Sequence, residues 1–185
     1  MRSLPNVQII QSNPKGAVSK MKRYFRRSIL ASLILAIATL VIVYAQEPKA
    51  DEQMNKRGDH VMGFDHTKTT HHFLLQEQGG SIEITANNSD DVESSKQIRI
   101  HLKHIATMFA EGNFNAPMLI HDQTPPGVPV MQELKSEIKY NFEEIDRGAA
   151  VRISTKNPTA LKAIHDFLRF QIKEHKTGDK LANTP

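Results

Sequence analysis

Along residues 90–109, DDVESSKQIRIHLKHIATMF, apolar side chains return every three or four positions, and Ile98, Leu102, Ile105 and Phe109 form one face. The spacing predicts an amphipathic helix, capped by Asn88, Ser89 or Asp90 and stopped at Glu111-Gly112-Asn113. Beside the apolar stripe runs a second one of His101, His104 and Met108, about 90° away around the helix at about 100° per residue. Strict alternation takes over in Thr70–Gln76 and Ser81–Ala86, which predicts two strands joined through Gln78-Gly79-Gly80. One face of the first strand carries His71, Phe73 and Leu75, and the other His72 and Leu74. Ile138–Glu144 and Ala150–Thr155 predict a second hairpin around Asp146-Arg147-Gly148. Asn157 then caps a last helix with Pro158 in its first turn, reaching about Glu174 and burying Leu161, Ile164, Leu168 and Ile172.

Between the halves, residues 110–137 hold Pro117, Pro125, Pro126 and Pro129, so no continuous helix crosses them. Met118–His121 reads as a short extended piece and Val130–Glu137 as a short helix. The two halves superpose at an offset of 69, with Phe73 on Phe142, Gly79 on Gly148, Ile82 on Val151, Ile84 on Ile153 and Asn88 on Asn157. Hairpins share turn chemistry, which is the alternative source of this match. Either way the expected fold class is α+β, a two-layer sandwich of four mainly antiparallel strands with two helices on one face.

Charge divides the chain. Residues 1–45 hold seven of the 24 Lys and Arg and no acid, which leaves 17 basic against 20 acidic residues beyond Ala45. The domain itself is therefore slightly acidic, and a nucleic-acid partner, which needs a basic face, is not expected. Lys20, Lys22, Arg23, Arg26 and Arg27 precede the uncharged apolar run Ser28–Ala45. That pattern is a signal peptide cut near Val43-Tyr44-Ala45, or else a membrane anchor kept through residues 28–45. Both place the domain outside, periplasmic or extracellular, with the basic flank inside. Met21 is an alternative start to Met1. Domain organisation follows: a basic segment with signal or anchor over 1–45, a flexible linker over 46–59, the α+β domain over 60–180, and a tail over 181–185, fraying from Asp179 on.

The runs GFDHTKTTHHF, IRIHLKHIATMF, APMLIHD and AIHDFLRFQIKEHKTGD resemble an uncharacterised family of exported bacterial proteins across about residues 60–180. The resemblance implies export and brings no established activity. A two-domain α/β transferase is excluded by length and by the lack of a phosphate loop.

The chain has no cysteine, which excludes disulfides, thiolate metal sites and a cysteine nucleophile. All nine histidines lie between His60 and His175. His101 and His104 stand one helical turn apart with Met108 a turn further, and His121, His71 and His66 are the other candidate ligands. Imidazole and thioether without thiolate suit copper, then zinc or haem iron. No spacing matches a zinc finger or HExxH. Two other readings stand beside the metal site. One is a non-catalytic interaction module, with a protein partner met through the loop around Pro125-Pro126-Gly127. The other is a hydrolase-type enzyme using His121-Asp122 or His165-Asp166 as acid and base.

Overall fold

The computed structural model describes residues 47–182. Contacts group the chain from Asp51 onward as one compact unit, and the elements below belong to it, save the first turn of the first helix. The apolar run 28–45 lies outside the described residues. Among the described residues no helix is long and apolar enough to cross a membrane.

Helix α1 spans Glu47–Met62. Gln46–Asp59, expected as a flexible linker, is therefore helical from Glu47 onward. Its inward face is narrow: Met54, Gly58 and Met62 recur at i, i+4 and i+8 and are buried. Two methionines and a glycine give little hydropathy signal, so the charged remainder of the helix read as spacer. A 3-10 turn, His66–Lys68, leads into β1, Thr69–Gln76, and β2 follows as Gly79–Ala86. Helix α2 is Val92–Ala110, and its cap is Asp91 rather than one of the three residues before it. Asp91 accepts hydrogen bonds from the Ser94 amide at 2.9 Å and the Ser94 hydroxyl at 2.7 Å. Asn88 instead holds a local turn, accepting from the Asp90 amide at 3.0 Å.

Asn115–His121 is a helix, α3, not the extended piece expected of Met118–His121. Pro117 sits in its first turn, where a helix asks for no N–H donor, so the proline does not break it. Val128–Glu133 forms α4, which starts and ends earlier than the Val130–Glu137 helix foreseen for this stretch, and Lys135–Glu137 is a second 3-10 turn. Strands β3, Ile138–Ile145, and β4, Gly148–Thr155, precede α5, Pro158–Glu174. Asn157 caps α5 as expected, accepting from the Thr159 amide at 2.8 Å and the Ala160 amide at 3.2 Å.

The four strands make one antiparallel sheet in the order β1-β2-β4-β3, an α+β fold. Its central pairing bears directly on the repeat. Ile82 faces Val151, its own counterpart at the offset of 69, so exchanging the halves maps the β2–β4 ladder onto itself. The two halves also share the burial pattern of β2 and β4 position by position. A Cβ on Gly79 would lie 1.9 Å from the Ile153 carbonyl oxygen, and one on Gly148 would lie 1.9 Å from that of Ile84. Ile84 and Ile153 are again counterparts, so both glycines are required by the same close approach of backbone to backbone.

Helices α2 and α5 cover one face, each packing mainly on the strands of the other half: α2 on β3 and β4, α5 on β1 and β2. The halves therefore cannot bury their apolar faces separately. Ile98, Leu102, Ile164, Phe167 and Leu168 fill the layer between helices and sheet. Asp179, expected in a fraying tail, is pinned to the edge of β1. Its carboxylate accepts from the Phe73 amide at 2.9 Å and the Thr177 hydroxyl at 2.7 Å, and pairs with His72 Nδ1 at 2.8 Å. Burial alone would raise the Asp179 pKa, but these hydrogen bonds outweigh it and hold it low.

Candidate functional site

Where the C-terminal end of α5 meets the inner face of β1, imidazoles from three elements gather. His71 comes from β1, His121 ends α3, and His175 terminates α5. The His71 and His175 rings stack nearly parallel at 5.8 Å between centroids, and His121 meets His175 edge to face at 5.1 Å. Phe73 lies 5.4 Å from His175 on the sheet side. A cleft of about 330 Å³ opens in front of the rings, lined by His66, His71, Glu174 and His175 and by Met54 and Met62 of α1. A second, smaller space of about 60 Å³ adjoins it, lined by His101 among others, and Met62, His71, Ile120 and His175 line both.

Burial sets the electrostatics. It pushes the His71 imidazole down to about 4, helped by repulsion from His66 and His72. It pushes His175 to about 3, helped by His71, His121 and His66. His121 is lowered by burial too, against the opposing effects of its hydrogen bond to the Gln171 carbonyl oxygen and the charge of Glu174. All three rings are thus neutral near pH 7, the form that offers a lone pair to a ligand. Two of them leave a buried ring nitrogen unpaired, His71 Nε2 and His121 Nδ1, and the side-chain nitrogen of Gln171 is unpaired as well. His121 is otherwise held through Nε2 by the Gln171 carbonyl oxygen at 3.0 Å, while its Nδ1 is 4.0 Å from a Glu174 oxygen, too far for a hydrogen bond. Each unpaired buried polar atom costs about 1–3 kcal/mol.

The expected ligand set divides. His66, His71 and His121 join the cluster or line its cleft. His101 does not line the cleft: its ring meets Phe64 edge to face at 5.6 Å, and it borders the smaller space beside His71 and His175 instead. Burial, with help from His71 and His104, lowers His101 to about 4. His104 is exposed on α2, and Met108 packs against the core. The stripe His101–His104–Met108 thus divides among three surroundings, an aromatic neighbour, solvent and the core. Nor do the clustered histidines meet at one point. Among the described residues the only three potential ligand groups with atoms within 4.8 Å of one another are Asp59, Asp65 and His66. There His66 Nδ1 already pairs with Asp59 Oδ1 at 2.8 Å, and Asp65 caps the 3-10 turn through Thr67.

Sequence reasoning missed His175, Met54, Met62 and Glu174. A signal for His175 was present. Aligning the caps Asp91 and Asn157 sets α2 on α5, which places His175 opposite Phe109. The strand offset places His71 opposite Tyr140. Two imidazoles thus occupy slots that hold aromatic rings in the other half.

The acid–base pairs dissolve. His165 Nε2 reaches the carbonyl oxygens of Gln76 and Gly79, both at 2.9 Å, and so ties α5 to the first hairpin. Asp166 pairs with Lys162 on the helix surface. His121 is buried while Asp122 is exposed with φ at 53°. The loop foreseen as a partner surface packs inward at Gly127, where a Cβ would stand 2.1 Å from the Ala163 carbonyl oxygen. Comparison with protein-family models, with curated proteins and with solved structures found no match.

Proposed function

We propose that this is an exported domain that binds a transition-metal ion, copper or zinc, at the histidine cleft. His71 and His175 are the ligands reached from the cleft, His121 supports them from behind, and His66 and Glu174 stand at the mouth. The observation that carries this reading is the packing of three neutral imidazoles against one another, two of which, His71 and His175, line an open cleft. An ion bound by His71 and His175 would lose little to proton competition, because burial has already kept the rings unprotonated. Rotation of the rings about their side-chain bonds must accompany binding, since the nitrogens stand apart at rest. The export half of the reading rests on the basic segment and the apolar run 28–45.

Zinc or copper titration of the full chain in mild detergent tests it. One equivalent should bind and raise the melting temperature, His71→Ala with His175→Ala should abolish both effects, and His104→Ala should change neither. A response that survives the double substitution, or is lost with His104→Ala, sinks the assignment. A second reading is favoured by the cleft's size. About 330 Å³ lies at the lower end of pockets for small organic ligands. Stabilisation by a small-molecule library that persists in a strong chelator would support that reading instead.

A further inference from the structure

We propose that two copies of this chain join through the free edge of β3, pairing antiparallel about Asn141, so that their two sheets become one. The inference stands apart from the metal reading. It starts from the two outer strands, β1 and β3, which correspond at the offset of 69 and differ in what lies beyond them. On β1 the Phe73 amide points away from β2 and donates to the Asp179 carboxylate at 2.9 Å. The second hairpin has the same turn length and register, Ile145 facing Gly148 as Gln76 faces Gly79. The amides of Tyr140, Phe142 and Glu144 therefore point away from β4. Among the described residues nothing accepts from them. The side chains show the same difference: Phe73 and Leu75 are buried, while their counterparts Phe142 and Glu144 are half-buried and exposed.

A bare edge strand of eight residues is a template for another strand. It carries no proline and no bulge, since its register with β4 runs unbroken from Ile138 to Ile145. Lysine on an edge is ordinarily a guard against such pairing. Lys139 differs, because Glu143 lies four residues on and on the same face. An antiparallel copy centred on Asn141 sets each Lys139 opposite the Glu143 of the other chain. It also sets Tyr140 opposite Phe142, both with outward amides and carbonyls, as an antiparallel ladder requires. Centring the pair on Tyr140 would put Glu143 against Glu137, and centring it on Phe142 would put Lys139 against Ile145. Charge thus selects one register. The joined sheet ends on both sides at β1, whose edge Asp179 closes. Assembly therefore stops at two copies and does not run on into a fibre.

Light scattering of the full chain in mild detergent, together with cross-linking, tests this. Wild type should have the mass of two chains. The Asn141 side chain is exposed, so substitutions there should leave the fold intact, which circular dichroism checks. Asn141→Lys sets two ammonium groups face to face and should raise the dissociation constant by roughly a hundredfold. Asn141→Ser should leave it unchanged. The chain lacks cysteine, so Asn141→Cys supplies a single thiol. It would face its own copy with about 4.5 Å between Cα atoms, within reach of a disulfide. Oxidised glutathione should link this variant into a covalent dimer. Lys139→Cys, whose thiols would stand roughly 13 Å apart along the strands, should stay unlinked. A monomeric wild type, the result if the edge instead takes a strand from another protein, overturns the proposal. So does a dimer that survives Asn141→Lys, or one in which Asn141→Cys does not link.

Discussion

Two contacts between a helix end and an edge strand occupy corresponding places in the repeat, and their chemistry differs. At one, Phe109 of α2 lies against Tyr140 of β3; at the other, His175 lies against His71 of β1. Ring centroids are 5.8 Å apart in both. The first contact is built for packing. Phe109 also stacks on Phe114 at 4.3 Å and meets Phe167 at 5.9 Å. The second joins an apolar wall on one side to an open cleft on the other and leaves one ring nitrogen, His71 Nε2, unpaired. A buried unpaired polar atom alone is no signature of a site, since the Tyr140 hydroxyl is also unpaired and burial pushes its pKa up. What separates the two contacts is three imidazoles around one opening. The fold accepts aromatic rings at this slot, so packing does not require histidine there.

Truncation should separate the contacts most strongly. Phe109→Ala removes a fully buried ring and should cost about 3–5 kcal/mol in urea unfolding. His175→Ala removes a ring whose burial already carries an electrostatic penalty, and should cost about 1 kcal/mol or less. Equal losses would erase the distinction.

Acid should act on the second contact alone. His71, His101 and His175 have folded-state pKa values of about 4, 4 and 3, below an unfolded value near 6.5. The unfolded chain therefore binds more protons as pH falls below 6.5, and stability is lost from there down to about pH 3. One imidazole held near 4 accounts for roughly 3 kcal/mol of that loss. Urea unfolding between pH 7 and pH 4.5 should show the decline, and replacing His71 and His175 together should flatten most of it. A pH profile unchanged by those substitutions would contradict the burial argument.

A smaller effect tests the tie that holds the chain after α5 on the sheet. Asp179→Ala removes the acceptor for the Phe73 amide and the partner of His72. It should cost about 1–2 kcal/mol and speed hydrogen exchange at the Phe73 amide. Unaltered exchange there would mean that the edge is protected some other way.

Much of the fold could be read from the chain because its signals are local. Both hairpins carry alternation and turn residues, and Asn157-Pro158 announces α5. The duplication showed in the offset of Gly79 and Gly148, which the Ile82–Val151 pairing now accounts for. Helix α1 was not legible, since a face of Met54, Gly58 and Met62 is too thin to register as amphipathic. Helix α3 was hidden by Pro117, which breaks a helix only beyond its first turn. The site was half legible. His66, His71 and His121 stood out as candidates, but spacing within one helix favoured His101 and His104, while the cluster forms across elements distant in sequence. His175 could be found only by asking what its slot holds in the other half.

The second contact is histidine for the sake of a ligand. Substituting His71→Tyr and His175→Phe together would give it the chemistry of the first, and the melting temperatures of this variant and of wild type, with and without copper or zinc, decide the matter. The variant should melt higher than wild type without metal and show no response to it. Wild type should gain about 2.7 kcal/mol of stability at a hundredfold excess of ion over its dissociation constant. An equal metal response in both proteins, or a variant less stable than wild type and a wild type indifferent to the ion, would contradict the account.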